Sequence, residues 1–105
     1  MRDKSIGRDR PGAVGQDEAE GVAVEILIWL AGQADLMSRF LAVTGVDASA
    51  IRQAASEPGF LAAVTGFVMA HEPTLMDFCA ANNTAAERVA ACHHRLAGPP
   101  GESST

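Results

Sequence analysis

Apolar residues recur three and four positions apart along most of this chain, and small punctuating residues cut the pattern at short intervals. Val22, Ala23, Ile26, Leu27, Trp29 and Leu30 mark the face of a first helix. Asp17 stands in the N-cap position with Glu20 three residues on, the spacing of a capping box, and Gly32 follows Ala31 as a stop. A second helix is predicted over Leu36 to Thr44, opened by Asp35 and closed by Gly45, with Leu36, Phe40, Leu41 and Val43 apolar. Asp47 caps a third from Ala48 to about Glu57, where Pro58 forbids continuation. A fourth, Gly59 to about His71, carries Phe60, Leu61, Val64, Phe67 and Val68 in one stripe. Gly66 inside it costs about 1 kcal/mol against Ala, a cost that a close helix crossing would offset. Pro73 opens a fifth helix that ends near Asn82 and Asn83. Thr84-Ala85-Ala86-Glu87 reads as a capping box for a sixth, which stops at Gly98-Pro99. The third and sixth are mostly Ala, with Ile51 in one and Val89 and Leu96 in the other. Nothing alternates with period two, so no sheet is expected. The fold class is all-α, a compact bundle of five to six short helices.

The first helix asks for more than one apolar contact. Val24 and Ile28 lie one turn apart on its far side, and only Glu18 and Glu25 mark a polar edge. A helix apolar almost all round is either the central helix of a bundle or offers its second face to a partner. Val24, Ile28 and Trp29 are therefore the candidate interaction surface.

Two segments are alike at an offset of 38 residues. Phe40-Leu-Ala-Val-Thr-Gly45-Val-Asp-Ala-Ser-Ala-Ile51 aligns with Phe78-Cys-Ala-Ala-Asn-Asn83-Thr-Ala-Ala-Glu-Arg-Val89. Gly and Asn are the residues that tolerate a left-handed helix stop, so that match has a physical reason. The expected architecture is two similar helix–turn–helix hairpins around a central hydrophobic helix.

Arg39-Phe40-Leu41-Ala42-Val43-Thr44-Gly45, followed by Pro58-Gly59-Phe60-Leu61-Ala62-Ala63-Val64, resembles a small bacterial all-helical family of unknown function, domain of unknown function 3572, over about residues 17–97. These motifs are structural. The resemblance implies an all-helical fold and carries no activity, cofactor or residue role. The family pattern often has Pro just after the inter-helix turn; Ala48 and Ala85 or Ala86 stand there, which implies less rigid helix starts.

With 105 residues, 48% of them hydrophobic and 20% charged, the chain has room for one domain, read as residues 17–97 between polar tails at 1–16 and 98–105. Residues 1–16 carry four cations against two Asp, whereas the rest carries four Arg against eleven carboxylates. An acidic body repels phosphate backbones and anionic lipid heads. The basic head reads as a solvated tail rather than an anion-seeking arm. Cys79 and Cys92 sit among apolar neighbours and look like buried helix residues. No apolar leader is visible, and the run Val22 to Ala31 is half the length of a membrane span. A soluble, cytoplasmic protein is expected.

Three constellations bear on chemistry. A helix–Gly–helix unit is similar to a DNA-reading helix-turn-helix, with residues 40–57 or 78–95 as the unit. Leu41, four before Gly45, is too large for that motif, and the reading helix of the first copy offers only Arg52 and Gln53. Cys92-His93-His94 invites a metal reading, but consecutive helical side chains diverge by ~100°, and His71 or Cys79 would have to complete the site. The bland account places His93, His94 and Arg95 in a last turn, where cations complement the helix dipole. His71-Glu72 before Pro73 is a conceivable acid–base pair, and equally a solvated helix end. Arg39 has Asp35 one turn back, a pair worth ~0.3–0.5 kcal/mol. Short helices of this number leave little room for a drug-sized pocket. The reading is a non-catalytic protein-interaction or accessory module without metal or cofactor, its partner a protein or a second copy. The alternative is a helix-turn-helix-like nucleic-acid binder.

Overall fold

The computed structural model describes residues 14–98. The expected basic head falls largely at residues 1–13 and the C-terminal tail at 99–105, outside the described residues. Six α-helices follow in order: α1 (Gln16–Ala31), α2 (Ala34–Thr44), α3 (Ile51–Ala54), α4 (Pro58–Met69), α5 (Glu72–Asn82) and α6 (Ala86–Ala97). A single 3-10 turn, Ala48–Ala50, leads into α3. Among the described residues there is no strand.

Helices α1, α4 and α6 pack against one another and form the centre; α2 lies on α1 and α4, and α5 on α4 and α6. Their inner faces are those the pattern marks. Val22, Ala23, Ile26, Leu27 and Leu30 of α1 are buried against Phe60, Leu61, Val64 and Val68 of α4 and Val89 and Cys92 of α6. Phe40 from α2 and Phe78 from α5 are fully buried anchors. Phe40 meets Phe60 and Phe67 edge-on at 5.6 and 5.3 Å, and Phe78 meets Trp29 edge-on at 5.6 Å. Such pairs contribute about 0.5–1.5 kcal/mol beyond the area they bury. No single described helix is long and apolar enough to cross a membrane; α1 and α2 pass the length test only together and are bent by 119°.

The 38-residue repeat is present in the backbone. Gly45 (φ 75°) and Asn83 (φ 52°) are the two residues of positive φ among those described. The N–H of each reaches back to an equivalent carbonyl, Leu41 and Cys79. Thr44 donates its hydroxyl to the Phe40 carbonyl, and Asn82 donates its amide to the Phe78 carbonyl. Asp47 and Ala85 then adopt the same extended conformation, and helical structure resumes at Ala48 and at Ala86. From there the copies diverge. The second becomes the twelve-residue α6 inside the core, whereas the first is a 3-10 turn and a four-residue helix.

The caps differ from the sequence reading. Gly15 is the N-cap of α1, Gln33 of α2 and Ala85 of α6, and no side chain caps any of them. Asp17, Asp35 and Glu87 fall one position or more inside, in first turns, where a carboxylate still complements the helix dipole. Asp47 does occupy an N-cap, also without a side-chain bond. Thr84 is buried and donates to the Asn82 carbonyl, which takes it out of the capping role. Gly32 stops α1 at φ −90°, without the left-handed turn.

Candidate docking groove

The outward face of α4 has its own pattern. Gly59, Ala62, Ala63, Gly66 and Ala70 recur at three and four residues, with Phe67 of the bulky stripe at their edge. Side chains this small leave a depression, and α4 forms the floor of a groove of about 640 Å³. Arg39, Val43 and Thr44 of α2 form one wall; His71 and Thr74, at the start of α5, and His93 of α6 close the other sides. Val43, expected to face the core, is 70% exposed at this wall. The volume is of the size that ligand sites have, so the expectation of little room is corrected. Packed helices leave space between them where one contributes mostly Gly and Ala.

Two histidine–threonine pairs stand in the walls. The Thr65 hydroxyl, fully buried, lies 2.7 Å from His93 Nδ1, and it also donates to the Ala62 carbonyl at 2.9 Å. Its Oγ1 also lies 3.4 Å from the Leu61 carbonyl, so this hydroxyl joins the backbone of α4 to the His93 ring. Gly66 makes this placement possible: a Cβ there would stand 3.2 Å from His93 Cε1. The close crossing expected at Gly66 is this contact. His71 Nδ1 and the Thr74 hydroxyl, 4% exposed, are bonded at 2.8 Å across the first turn of α5.

Charge is distributed unevenly. Residues 14–98 carry ten carboxylates against four arginines. Among the described residues that line the groove there is no carboxylate, while one arginine and two of the three histidines are there. Arg39 lines the groove, and no ion pair joins it to Asp35. The ion pair among the described residues is Glu18 with Arg88, 3.0 Å apart between α1 and α6. Both its side chains are well exposed, so it contributes at most about 1 kcal/mol.

The other candidates are placed as follows. Ile28 is 67% exposed on α1, while Val24 and Trp29 are half-buried against the core, Trp29 through its contact with Phe78. Among the described residues no three His, Cys, Asp or Glu side chains stand close enough to hold a metal ion, and His71, Cys79 and His93 do not converge. Cys79 and Cys92 are free, buried thiols. Burial pushes both above the ordinary thiol range; Glu87 adds to this at Cys79, and at Cys92 Arg88 acts against it while Glu18 and Glu25 add. The helix that would read DNA in the first hairpin is not formed, because the segment after Gly45 holds only the 3-10 turn and α3. In the second hairpin Val89 and Cys92 are turned into the core.

The sequence reading missed the groove because it followed only the bulky stripe of α4. The signal was the complementary run of Gly and Ala at helical spacing.

These features define a small all-helical domain with a groove along α4. A family model described as "Protein of unknown function (DUF3572)" matches residues 16–99, and the chain belongs to that family. No curated protein and no solved structure matches it.

Proposed function

We propose that this domain is a non-catalytic accessory module that acts by contact with a protein, and that the α4 groove is its docking face. The observation that carries the reading is the groove itself: an apolar floor of three turns, an exposed Val43 at its edge, and polar groups confined to the walls. An apolar groove of this kind suits a helical segment laid along it. A non-catalytic role is supported by the state of its reactive groups. The Nδ1 atom of each groove histidine is engaged by a threonine hydroxyl, and both thiols are buried and raised in pKa. Ile28, with Val24 beside it, is a second contact point on α1.

The test compares the full chain with an Ala63→Trp variant, which fills the groove from an outward position. Both serve as bait on a lysate of the native host. The reading expects a protein retained by the parent and lost with Ala63→Trp, and retained with Ile28→Glu if the groove is the main face. Identical sets on parent and Ala63→Trp would sink it. A gel shift at low salt examines the nucleic-acid alternative, since an electrostatic contribution is strongest there. Tight, salt-sensitive DNA or RNA binding indifferent to Ala63→Trp would replace the docking reading.

A further inference from the structure

The groove is selective in the sign of charge that it offers. In a body where carboxylates outnumber arginines, it presents Arg39 and no carboxylate among its described lining residues. We infer that its occupant is an amphipathic acidic helix of a partner protein, apolar toward α4 and carrying a carboxylate that reaches Arg39. This rests on the docking reading above and adds the chemistry of the partner.

Three observations select this occupant. The first is shape. The floor from Gly59 to Ala70 spans eleven residue steps, roughly 16 Å, which is three turns of a helix laid alongside. Gly66 and Ala62 offer no side chain beyond a methyl, so a second helix can approach closely. The second is backbone chemistry. The described residues form no strand, so the groove has no free sheet edge with which an extended peptide could pair. An extended segment would bury N–H and C=O groups without partners, whereas a helix satisfies its own. The third is charge complementarity. A carboxylate at the Arg39 wall meets a guanidinium there and, among the described lining residues, no acid.

Other copies of this chain do not fit. The large hydrophobic side chains left exposed, Ile28, Val43 and Met76, stand singly on three different helices, so no described helix offers an outward apolar stripe of three turns. The C-terminal residues 99–105 carry Glu102 but no apolar side chain except proline, and residues 1–13 carry four cations.

The probes are three end-blocked, fluorescently labelled peptides, each of about fourteen residues, roughly 20 Å of helix. They share one leucine stripe at helical spacing and differ at the flanking positions, which are Glu, Gln or Lys. Anisotropy titrations use the full-length chain, its Ala63→Trp variant and its Arg39→Glu variant, with far-UV circular dichroism to check that each is folded. The expected order is Glu, then Gln, then Lys, with roughly fivefold between the first two, the upper range for a solvent-accessible ion pair. Arg39→Glu reverses that order, and Ala63→Trp abolishes binding of all three. Equal affinity for the three peptides, still lost with Ala63→Trp, overturns the acidic partner and leaves the docking reading standing. Absence of Ala63-dependent binding overturns both. Vesicles of phosphatidylglycerol are the remaining arm: if they displace the Glu peptide and their binding is lost with Ala63→Trp, the occupant is an anionic lipid and the inference falls.

Discussion

Thr65 and His93, 28 residues apart in sequence, are joined by a 2.7 Å hydrogen bond that ties the middle of α4 to α6. The threonine is fully buried, and its hydroxyl also lies 2.9 Å from the Ala62 carbonyl. Thr65→Val keeps the shape and removes the hydroxyl. The cost of a ring nitrogen left without a partner is about 1–2 kcal/mol, expected as a lower urea midpoint at unchanged slope. In a nitrogen-15 spectrum the His93 Nδ1 resonance should shift in the variant, and an unchanged resonance would show that the bond is absent.

Gly66 is the other half of that contact. In an ordinary exposed helix, Gly→Ala would stabilise by about 1 kcal/mol. Here the new methyl would stand 3.2 Å from a ring that Thr65 holds in place, so Gly66→Ala is expected to destabilise by about 1 kcal/mol net. The context decides the sign: added to His93→Ala, the same substitution should recover its ordinary gain. A double-mutant cycle in urea measures this, and additive effects would show that the ring and the glycine do not interact.

The two left-handed stops should differ in tolerance in a defined way. Gly45→Asn copies the residue that the second hairpin uses and is expected to cost less than about 0.5 kcal/mol. Gly45→Ala and Asn83→Ala place an ordinary Cβ in the left-handed region and should each cost about 1–2 kcal/mol. Thermal melts of the three variants side by side suffice, and an Asn as costly as Ala at position 45 would show that the turns are not equivalent.

Both thiols have raised pKa values, chiefly through burial. The sign follows from linkage. Unfolding lets the thiols ionise at their ordinary pKa of about 8.5, so the unfolded chain binds fewer protons than the native one in alkaline solution. This contribution to stability is complete below that pKa and is lost as pH rises through the raised native values. Urea midpoints should therefore fall more steeply above about pH 8.5 in the parent than in a Cys79→Ala, Cys92→Ala double variant. Thiol labelling of the folded parent at neutral pH should be slow and limited by opening.

Much of the fold was legible because the sequence punctuates itself. Gly45 and Asn83 stop helices, and Pro58 and Pro73 stand in the first turns of α4 and α5, for reasons internal to the backbone. Capping was less legible, since a Ser, Thr or Asp beside a helix start declares only that it can accept a bond. At Thr84 a buried turn claimed the hydroxyl first. The third helix was overestimated for a similar reason: Asp47 and Pro58 bound a helix-sized interval, but Ala, Ser and Gln within it bury too little to hold one. The groove was hidden because attention goes to large side chains, and it is made of small ones. In sequence Arg39 reads as half of a surface pair and His93 as a helix-end residue; only the packing of α2 and α6 on α4 brings them to one depression.

The unequal hairpins set the order in which the molecule comes apart. One arm of the repeat ends as a long rod wedged among its neighbours, and the other as a four-residue stub with no fully buried side chain, held to the core by the half-buried Ile51 and Ala54. On warming, the stretch between Asp47 and Glu57 is expected to let go before α6, its amides trading their protons for solvent deuterium while those of α6 still hold. The chain thus carries a weak seam next to the floor of its groove, where α4 begins.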